Sequence, residues 1–190
     1  MNKVILFYGL PASGKYTMAK RLASATNAHL IDNHYFMDFV KPFIGKHGGV
    51  SSFNESMKKI ISEFYNIVGE FYPKDRQVTY IATFCIINPK TDYEVLEDLK
   101  KLAKSISGEF IPIGLLPNFD ALKIRCATEE RKDRGKLHCP VVYENNFYWG
   151  DPRTAKPLAF EHKNKFEIDT SDLTEDETYA KIKQYLAKFN

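Results

Sequence analysis

A glycine-bounded segment at residues 9–17 has the composition of a phosphate-binding loop, with the order Gly-Leu-Pro-Ala-Ser-Gly-Lys-Tyr-Thr. Glycines at both ends allow the backbone to curl so that its amides point toward one anion. The Lys15 ammonium could then reach the β- and γ-phosphates of a nucleotide. The alternative is a glycine-rich turn that binds nothing. The pattern predicts a nucleotide-binding loop that contains Gly9, Pro11, Ala12, Ser13, Gly14, Lys15, Tyr16 and Thr17.

The residue after Lys15 departs from the usual pattern, because Tyr16 stands where a serine or threonine commonly holds Mg²⁺. The first small hydroxyl follows one residue later, at Thr17. The loop therefore resembles the GKxT form of nucleoside monophosphate kinases such as adenylate kinase. That resemblance implies a Mg²⁺ held largely through phosphates and water, with Thr17 nearby and direct ligation by the protein left open.

A carboxylate follows the second apolar segment, because Asp32 comes directly after residues 29–31. The carboxyl ends of the strands form the ligand-binding edge of a doubly wound sheet, so Asp32 could take a proton from an acceptor hydroxyl. It could also support the Mg²⁺ shell. The same residue could instead cap a helix that begins near Phe36, since aspartate is a preferred N-cap. The sequence leaves these roles open.

A polar segment at residues 125–140 carries four cations, Arg125, Arg131, Arg134 and Lys136. Phosphoryl transfer spreads negative charge over the moving group, so a hinged basic segment could stabilise that charge and exclude water. Arg131 and Arg134 fit this task. The alternative is a solvated helix face on which acidic neighbours pair with the arginines.

The elements that would position these residues alternate between strands and helices. Five segments are typical of a parallel sheet covered on both faces, namely 4–8, 29–31, 78–87, 110–116 and 165–168. Helices are predicted between them, one opened by Asn118 and one capped by Thr174 and Glu177. Pro112 cannot donate to a ladder, so its strand is expected at an edge or with a bulge. The pattern predicts an α/β domain.

The loop and the order of the elements together resemble the small P-loop kinases grouped around shikimate kinase, adenylate kinase and chloramphenicol phosphotransferase. The resemblance implies a P-loop kinase fold, with a parallel sheet flanked by helices, in a single domain over residues 1–190. A short basic lid insert would occupy residues 125–140. ATP and Mg²⁺ would be the cofactors.

The same resemblance implies roles for individual residues. Asp32 is implied to be the base, in the position where these kinases carry an aspartate for substrate contact or base catalysis. Arg125 is implied to lay its guanidinium on adenine, and Asp169 or Thr170 to touch the base. Lys15 would bind the phosphates of the nucleotide.

Bulk composition narrows the class of protein further. The net charge of +3 comes from 27 basic and 24 acidic residues spread along the chain, so a nucleic-acid partner is not expected, although a bound nucleotide is. The three cysteines, Cys85, Cys126 and Cys139, favour a reducing cytoplasm over a disulfide scaffold. The apolar runs are too short for a membrane helix.

These observations predict an ATP-dependent kinase that phosphorylates a small-molecule hydroxyl or a nucleotide. Two alternatives stay open from the sequence. One is a kinase acting on polynucleotide ends, which would need a basic groove. The other is a nucleotide-binding regulatory ATPase, which would need no acceptor pocket.

Overall fold

The structure, a computed structural model, describes residues 1–44, 49–88, 92–133, 136, 138–145, 151 and 153–189. Within these ranges the strands are β1 (Lys3–Tyr8), β2 (His29–Asp32), β3 (Thr79–Phe84), β4 (Glu109–Leu115) and β5 (Phe166–Ile168). The α-helices are α1 (Lys15–Thr26), α2 (Asn33–Ile44), α3 (Gly49–Phe71), α4 (Asp92–Ser105), α5 (Phe119–Cys126), α6 (Glu129–Asp133), α7 (Pro140–Glu144) and α8 (Glu175–Leu186).

The strands form one sheet in the order β2-β3-β1-β4-β5, and every pairing is parallel. β1 lies at its centre, where Val4, Leu6 and Phe7 have no exposed surface. A strand with neighbours on both sides and helices on both faces has no polar environment, which is why its sequence is a continuous apolar run. The predicted α/β fold with a parallel sheet is confirmed.

Helices cover both faces of the sheet because successive side chains of each strand point to opposite faces. Leu6 and Tyr8 of β1 pack with side chains of α2, α3 and α4. Ile5 and Phe7 pack on the other face with side chains of α1 and α8. The loop after β1 is supported separately, since Leu10 and Ala12 pack against α5.

The position of Pro112 differs from the expectation of an edge strand, because β4 lies between β1 and β5. Its register with β1 runs without a break through the pair Leu6 and Pro112. β5 begins only opposite Ile113, so at Pro112 β4 has a single neighbouring strand. An interior strand therefore tolerates the proline where its partner has not yet started.

Helix caps follow the sequence closely. Asn118 precedes α5 and accepts a hydrogen bond from the Ala121 amide at 2.9 Å. Thr174 and Glu177 form the capping box of α8. Helix α2 begins earlier than the expected Phe36, directly after Asp32. No helix in the described ranges is long and apolar enough to cross a membrane.

Candidate active site

The loop between β1 and α1 passes through left-handed backbone conformations. Gly14, the N-cap of α1, has φ 91° and ψ 6°, and Ala12 has φ 67°. Left-handed residues turn neighbouring amides toward one side and create a concavity that binds anions. Because α1 starts at Lys15, the positive end of its dipole faces the same space. The loop thus has the form of a phosphate cradle.

Gly9 is required by the close passage of β4 beside the loop. Its φ is 149°, and a Cβ there would collide with the carbonyl oxygen of Leu115 and lie 2.7 Å from Ser13 Oγ. A side chain at this position would therefore push the loop away from the sheet. The glycine lets the loop close tightly at the end of β1.

Lys15 folds its side chain back over the loop. Its Nζ donates to the carbonyl oxygens of Gly9 at 2.9 Å and Leu10 at 2.7 Å. Burial lowers the pKa of this ammonium, the charge of Arg131 lowers it further, and the charge of Asp32 raises it. Cys85 also raises the pKa of Lys15, by more than Asp32 does, so Lys15 lies within the electrostatic reach of Cys85, Arg131 and Asp32.

Asp32 lies at the carboxyl end of β2 with 2% of its surface exposed. Thr83 stands opposite it in β3 and donates its hydroxyl to Asp32 Oδ1 at 2.5 Å. The other oxygen, Oδ2, lies 3.9 Å from the ammonium of Lys136. The position directly before α2 suits an N-cap, and the position at the sheet edge suits a base, so both interpretations stay predictions.

The segment predicted to be a lid reaches the loop in this structure. Lys136 donates its backbone amide to the carbonyl of Arg131 at 2.9 Å, and its Nζ lies 4.9 Å from the centre of the Tyr16 ring. Glu129 pairs with Lys132 on the exposed side of α6, at 3.3 Å. Arg134 lies outside the described residues. The lid role of residues 125–140 stays a prediction.

Two segments meet on the far side of the loop, where adenine binding was predicted. Arg125 donates to Thr170 Oγ1 at 3.1 Å and to the Thr170 carbonyl at 2.5 Å. Asp169 is exposed, and its carboxylate accepts from the Ser171 amide at 2.9 Å, which lowers its pKa together with the Ser171 hydroxyl. Arg125 and Thr170 are thus brought together, whereas Asp169 points into the neighbouring turn.

A single cavity of about 670 Å³ joins these parts. It is lined by all the predicted loop residues except Gly9, by Asp32, Arg131, Arg125 and Thr170, and further by Asn33, His34, Met37, Thr83, Phe84, Cys85, Lys136, Thr174 and Glu175. The structure therefore gathers most of the predicted site residues around one space. Asp169 is not in that lining.

Sequence reasoning did not single out Thr83 and Cys85 as site residues, and it placed Lys136 in the basic segment without its contact to Asp32. Thr83 is a polar residue near the carboxyl end of a buried strand, next to the strand that carries Asp32. A polar residue at that end of an apolar strand is a sequence signal for the ligand-binding edge of the sheet. Burial raises the pKa of the Cys85 thiol to about 11, although the nearby Lys15 charge lowers it. Lys136 was counted among the basic residues of its segment, but its contact with Asp32 depends on folding.

The donor atoms near the loop are compatible with Mg²⁺. Thr17 and Asp32 both line the cavity and carry oxygen atoms, which are the ligands that Mg²⁺ prefers. Within the described part of the chain, no group of three or more His, Cys, Asp or Glu residues could hold a metal by itself. The oxygen donors of the protein would therefore act together with phosphates and water.

Solved kinase structures resemble this chain along its whole length. A Chloroflexus aurantiacus protein described as a kinase superposes with a TM-score of 0.65 at 15% identity, covering 100% of this chain and 98% of its own. Shikimate kinase from Acinetobacter baumannii, in complex with shikimate, gives 0.55 at 16%, covering 100% and 96%. The Mycobacterium tuberculosis APS kinase, in complex with AMPPNP and APS, gives 0.56 at 12%, covering 98% of each.

Sequence comparisons show less than these structures. No protein-family model matches the chain, and no curated protein matches it at a significant level. The superpositions show a shared fold, and at identities of this size they leave substrates unassigned. The central parallel sheet, the loop that follows β1 and these superpositions together show that the chain has the fold of the small P-loop kinases.

Proposed function

We propose that the protein is an ATP-dependent kinase that transfers the γ-phosphoryl group to a small-molecule hydroxyl or a nucleotide acceptor. The main observation in support of this proposal is that the phosphate loop with Lys15 and the buried carboxylate of Asp32 line the same cavity. A nucleotide held by the loop would place its terminal phosphate in the space that Asp32 borders. Donor and base would then share one site.

The loop supplies the donor half of this site. Its amides and the Lys15 ammonium would bind the β- and γ-phosphates, and Arg131 would add a cation beside them, as the lid role of residues 125–140 requires. Arg125 and Thr170 would border the adenine ring. Arg134, outside the described residues, is proposed for the same charge stabilisation as Arg131.

Asp32 supplies the acceptor half. Its carboxylate would take the proton of the acceptor hydroxyl while that oxygen attacks the γ-phosphorus and the bond to the β-γ bridging oxygen breaks, releasing ADP. The hydrogen bond from Thr83 fixes Oδ1, so the carboxylate keeps one orientation. Mg²⁺, held near Thr17 and Asp32, would neutralise phosphate charge. If loss of Asp32 removed metal-dependent binding alone, Asp32 would serve the metal and not the acceptor.

The lining on the acceptor side supports a particular kind of acceptor. Among the described residues, Asn33 Oδ1 is a buried side-chain oxygen that accepts no hydrogen bond. Buried acceptors are costly to leave unpaired, so a donor on the substrate would satisfy it. Met37 and Phe84 line the same cavity and are apolar. The acceptor is therefore proposed to combine hydroxyl or amine donors with an apolar part.

The test is a transfer assay across acceptor classes. Nucleosides, nucleoside monophosphates, sugars, shikimate-like acids, aminoglycoside and phenicol antibiotics, and a 5′-hydroxyl oligonucleotide are first ranked by thermal shift with MgATP. Radiolabelled γ-phosphate is then followed onto the acceptors that stabilise the protein. We expect label on one small-molecule class and none with Lys15→Ala.

Two outcomes would contradict the proposal. Label on the oligonucleotide alone would point to a polynucleotide-end kinase. Slow release of phosphate with no acceptor accelerating it, in a protein that binds MgATP well, would point to a regulatory ATPase.

A further inference from the structure

Lys136 is an unusually enclosed lysine for a polar surface segment. Only 10% of its side chain is exposed, and it lines the cavity beside the phosphate loop. Arg131, earlier in the same segment, lines the same cavity. Lysines are almost never fully buried without a partner, so the enclosure of this one calls for a chemical reason.

Groups from separate elements lie close to the Lys136 ammonium, among them a carboxylate and an aromatic ring. Asp32 Oδ2, at the end of β2, lies 3.9 Å from Nζ, which is longer than a hydrogen bond. The Tyr16 ring, in the first turn of α1, lies 4.9 Å away, within the distance at which an aromatic face attracts a cation. The ammonium thus lies between the loop and the carboxylate.

The identity of Tyr16 takes on a meaning in this arrangement. A small hydroxyl at this position would offer an oxygen to Mg²⁺, whereas the tyrosine presents a ring to an ammonium. Residue 16 of this loop therefore contacts the Lys136 ammonium, whereas the residue at the same position of related loops helps to bind a metal.

We propose that Lys136 is a phosphate-sensing cation that exchanges Asp32 for the terminal phosphate of the bound nucleotide. This inference rests on the proposed function of the cavity. A triphosphate brings more negative charge than one carboxylate, so the ammonium would move toward it. The flexible four-carbon stem of lysine allows that short movement without unfolding its segment. Asp32, released by the exchange, would then be available to the acceptor hydroxyl.

The exchange makes a measurable prediction about nucleotide discrimination. Calorimetry with MgATP and MgADP gives the ratio of their dissociation constants, and that ratio reports contacts to the γ-phosphate. In Lys136→Met, which keeps the stem and removes the charge, we expect this preference for ATP to fall about tenfold, with MgADP affinity within twofold of the wild type. Lys136→Arg should recover part of the preference. Lys136→Gln tests the same loss of charge if Lys136→Met does not fold.

Lys132 provides the matched control, because it is an exposed lysine of the same segment that pairs with Glu129. Lys132→Met should keep the wild-type ratio. Tyr16 provides a second test of the ring seat: Tyr16→Leu, which removes the aromatic face, should lose more of the ATP preference than Tyr16→Phe, which keeps it.

The outcomes separate this inference from the proposed function. Equal weakening of MgATP and MgADP in Lys136→Met, or an unchanged ratio, would show that Lys136 only anchors its segment, and the inference would be wrong. If wild-type protein binds neither nucleotide, or if Lys15→Ala binds MgATP as well as the wild type, the proposed function fails and the inference fails with it. A lowered ratio in Lys136→Met with an intact wild-type assay supports both.

Discussion

The two halves of the cavity are built in opposite ways. The phosphate loop comes from consecutive residues 9–17, and its shape is set largely by the left-handed conformations of Ala12 and Gly14 and by a helix that starts at Lys15. The acceptor half is assembled from Asp32, Thr83 and Lys136, which lie on β2, on β3 and beyond α6. The first half depends on local backbone geometry, and the second on the correct packing of distant segments.

This difference predicts how each half fails. Changes in the loop should abolish nucleotide binding outright, because all its donors act on one anion. Changes at Asp32 or Thr83 in the proposed acceptor half should spare nucleotide binding and slow transfer, whereas a change at Lys136 should weaken MgATP binding and spare MgADP binding. Six substitutions, in five tests taken from the largest expected effect to the smallest, examine whether the two halves separate in this way.

Lys15→Ala should have the largest effect, since it removes the charge-assisted contact to phosphate from a site whose other donors are neutral amides. We expect transfer to fall by about a thousandfold. Stabilisation by MgATP, about 2.7 kcal/mol at a hundredfold excess over Kd, should disappear from thermal unfolding curves. Lys20→Ala, an exposed lysine of the same helix, is the control. Undiminished stabilisation by MgATP in Lys15→Ala would show that Lys15 and its loop do not bind the nucleotide phosphates.

Asp32→Asn should reduce transfer by about a hundredfold while MgATP affinity is largely kept. Asparagine preserves the size, the oxygen that accepts from Thr83 and most capping ability, so a pure N-cap would show almost no effect. Single-turnover transfer and nucleotide binding are measured together. Asp38→Asn, at an exposed position of α2, is the matched control. Loss of nucleotide binding alone would assign Asp32 to the metal shell.

Gly9→Ala and Gly14→Ala should separate close packing from backbone strain within the loop. Both glycines have positive φ, but only at Gly9 does an added Cβ meet other atoms, whereas at Gly14 nothing lies within 4 Å. We expect the free energy of unfolding to fall by about 3 kcal/mol for Gly9→Ala and about 1 kcal/mol for Gly14→Ala. Denaturant titration measures both. Equal losses would mean that β4 does not constrain the loop.

Arg131→Ala should lower turnover by about tenfold and leave the melting temperature nearly unchanged. The reason is that a partly exposed cation at a cavity wall contributes more to a charged transition state than to folding. Steady-state kinetics and a melting curve on the same preparation decide the matter. Ready unfolding at normal activity would make Arg131 a structural residue of its segment.

Arg125→Lys should give the smallest effect, about fivefold weaker MgATP binding. Lysine cannot reproduce the two hydrogen bonds that the guanidinium donates to Thr170, so the wall beside the proposed adenine site should loosen. Lys123→Ala, on the same helix, should bind MgATP like the wild type. Equal affinity in Arg125→Lys would separate Arg125 from the nucleotide.

The local features of the fold could be predicted from the sequence. The apolar run of β1, the cap at Asn118 and the capping box of Thr174 and Glu177 are all signals confined to a few consecutive residues, and all are confirmed. Pro112 was less predictable, because its tolerance depends on where β5 begins. That boundary is set by pairing between strands far apart in the chain.

The site residues also differ in whether a local sequence pattern or the packing of distant segments reveals them. The loop residues were singled out by their spacing, and all of them except Gly9 line the cavity, while their role in binding nucleotide stays a prediction. Thr83 has an ordinary strand environment in the sequence and becomes notable only when β2 lies beside β3. Lys136 looked like one of several surface cations, and its distance from Asp32 follows from the path of the chain after α5.

The central place of β1 in the sheet has a consequence for how the protein is made. β1 pairs with β3 from Lys3 opposite Thr79 and with β4 from Lys3 opposite Glu109. A ribosome that adds about 5–20 residues per second needs on the order of ten seconds to synthesise the chain between these partners. During that interval the most apolar strand has emerged without its neighbours, and Gly9 has not met the β4 backbone that it is shaped to accommodate. The central strand of the sheet therefore stays without one of its two neighbours until residues 109–115 have been made.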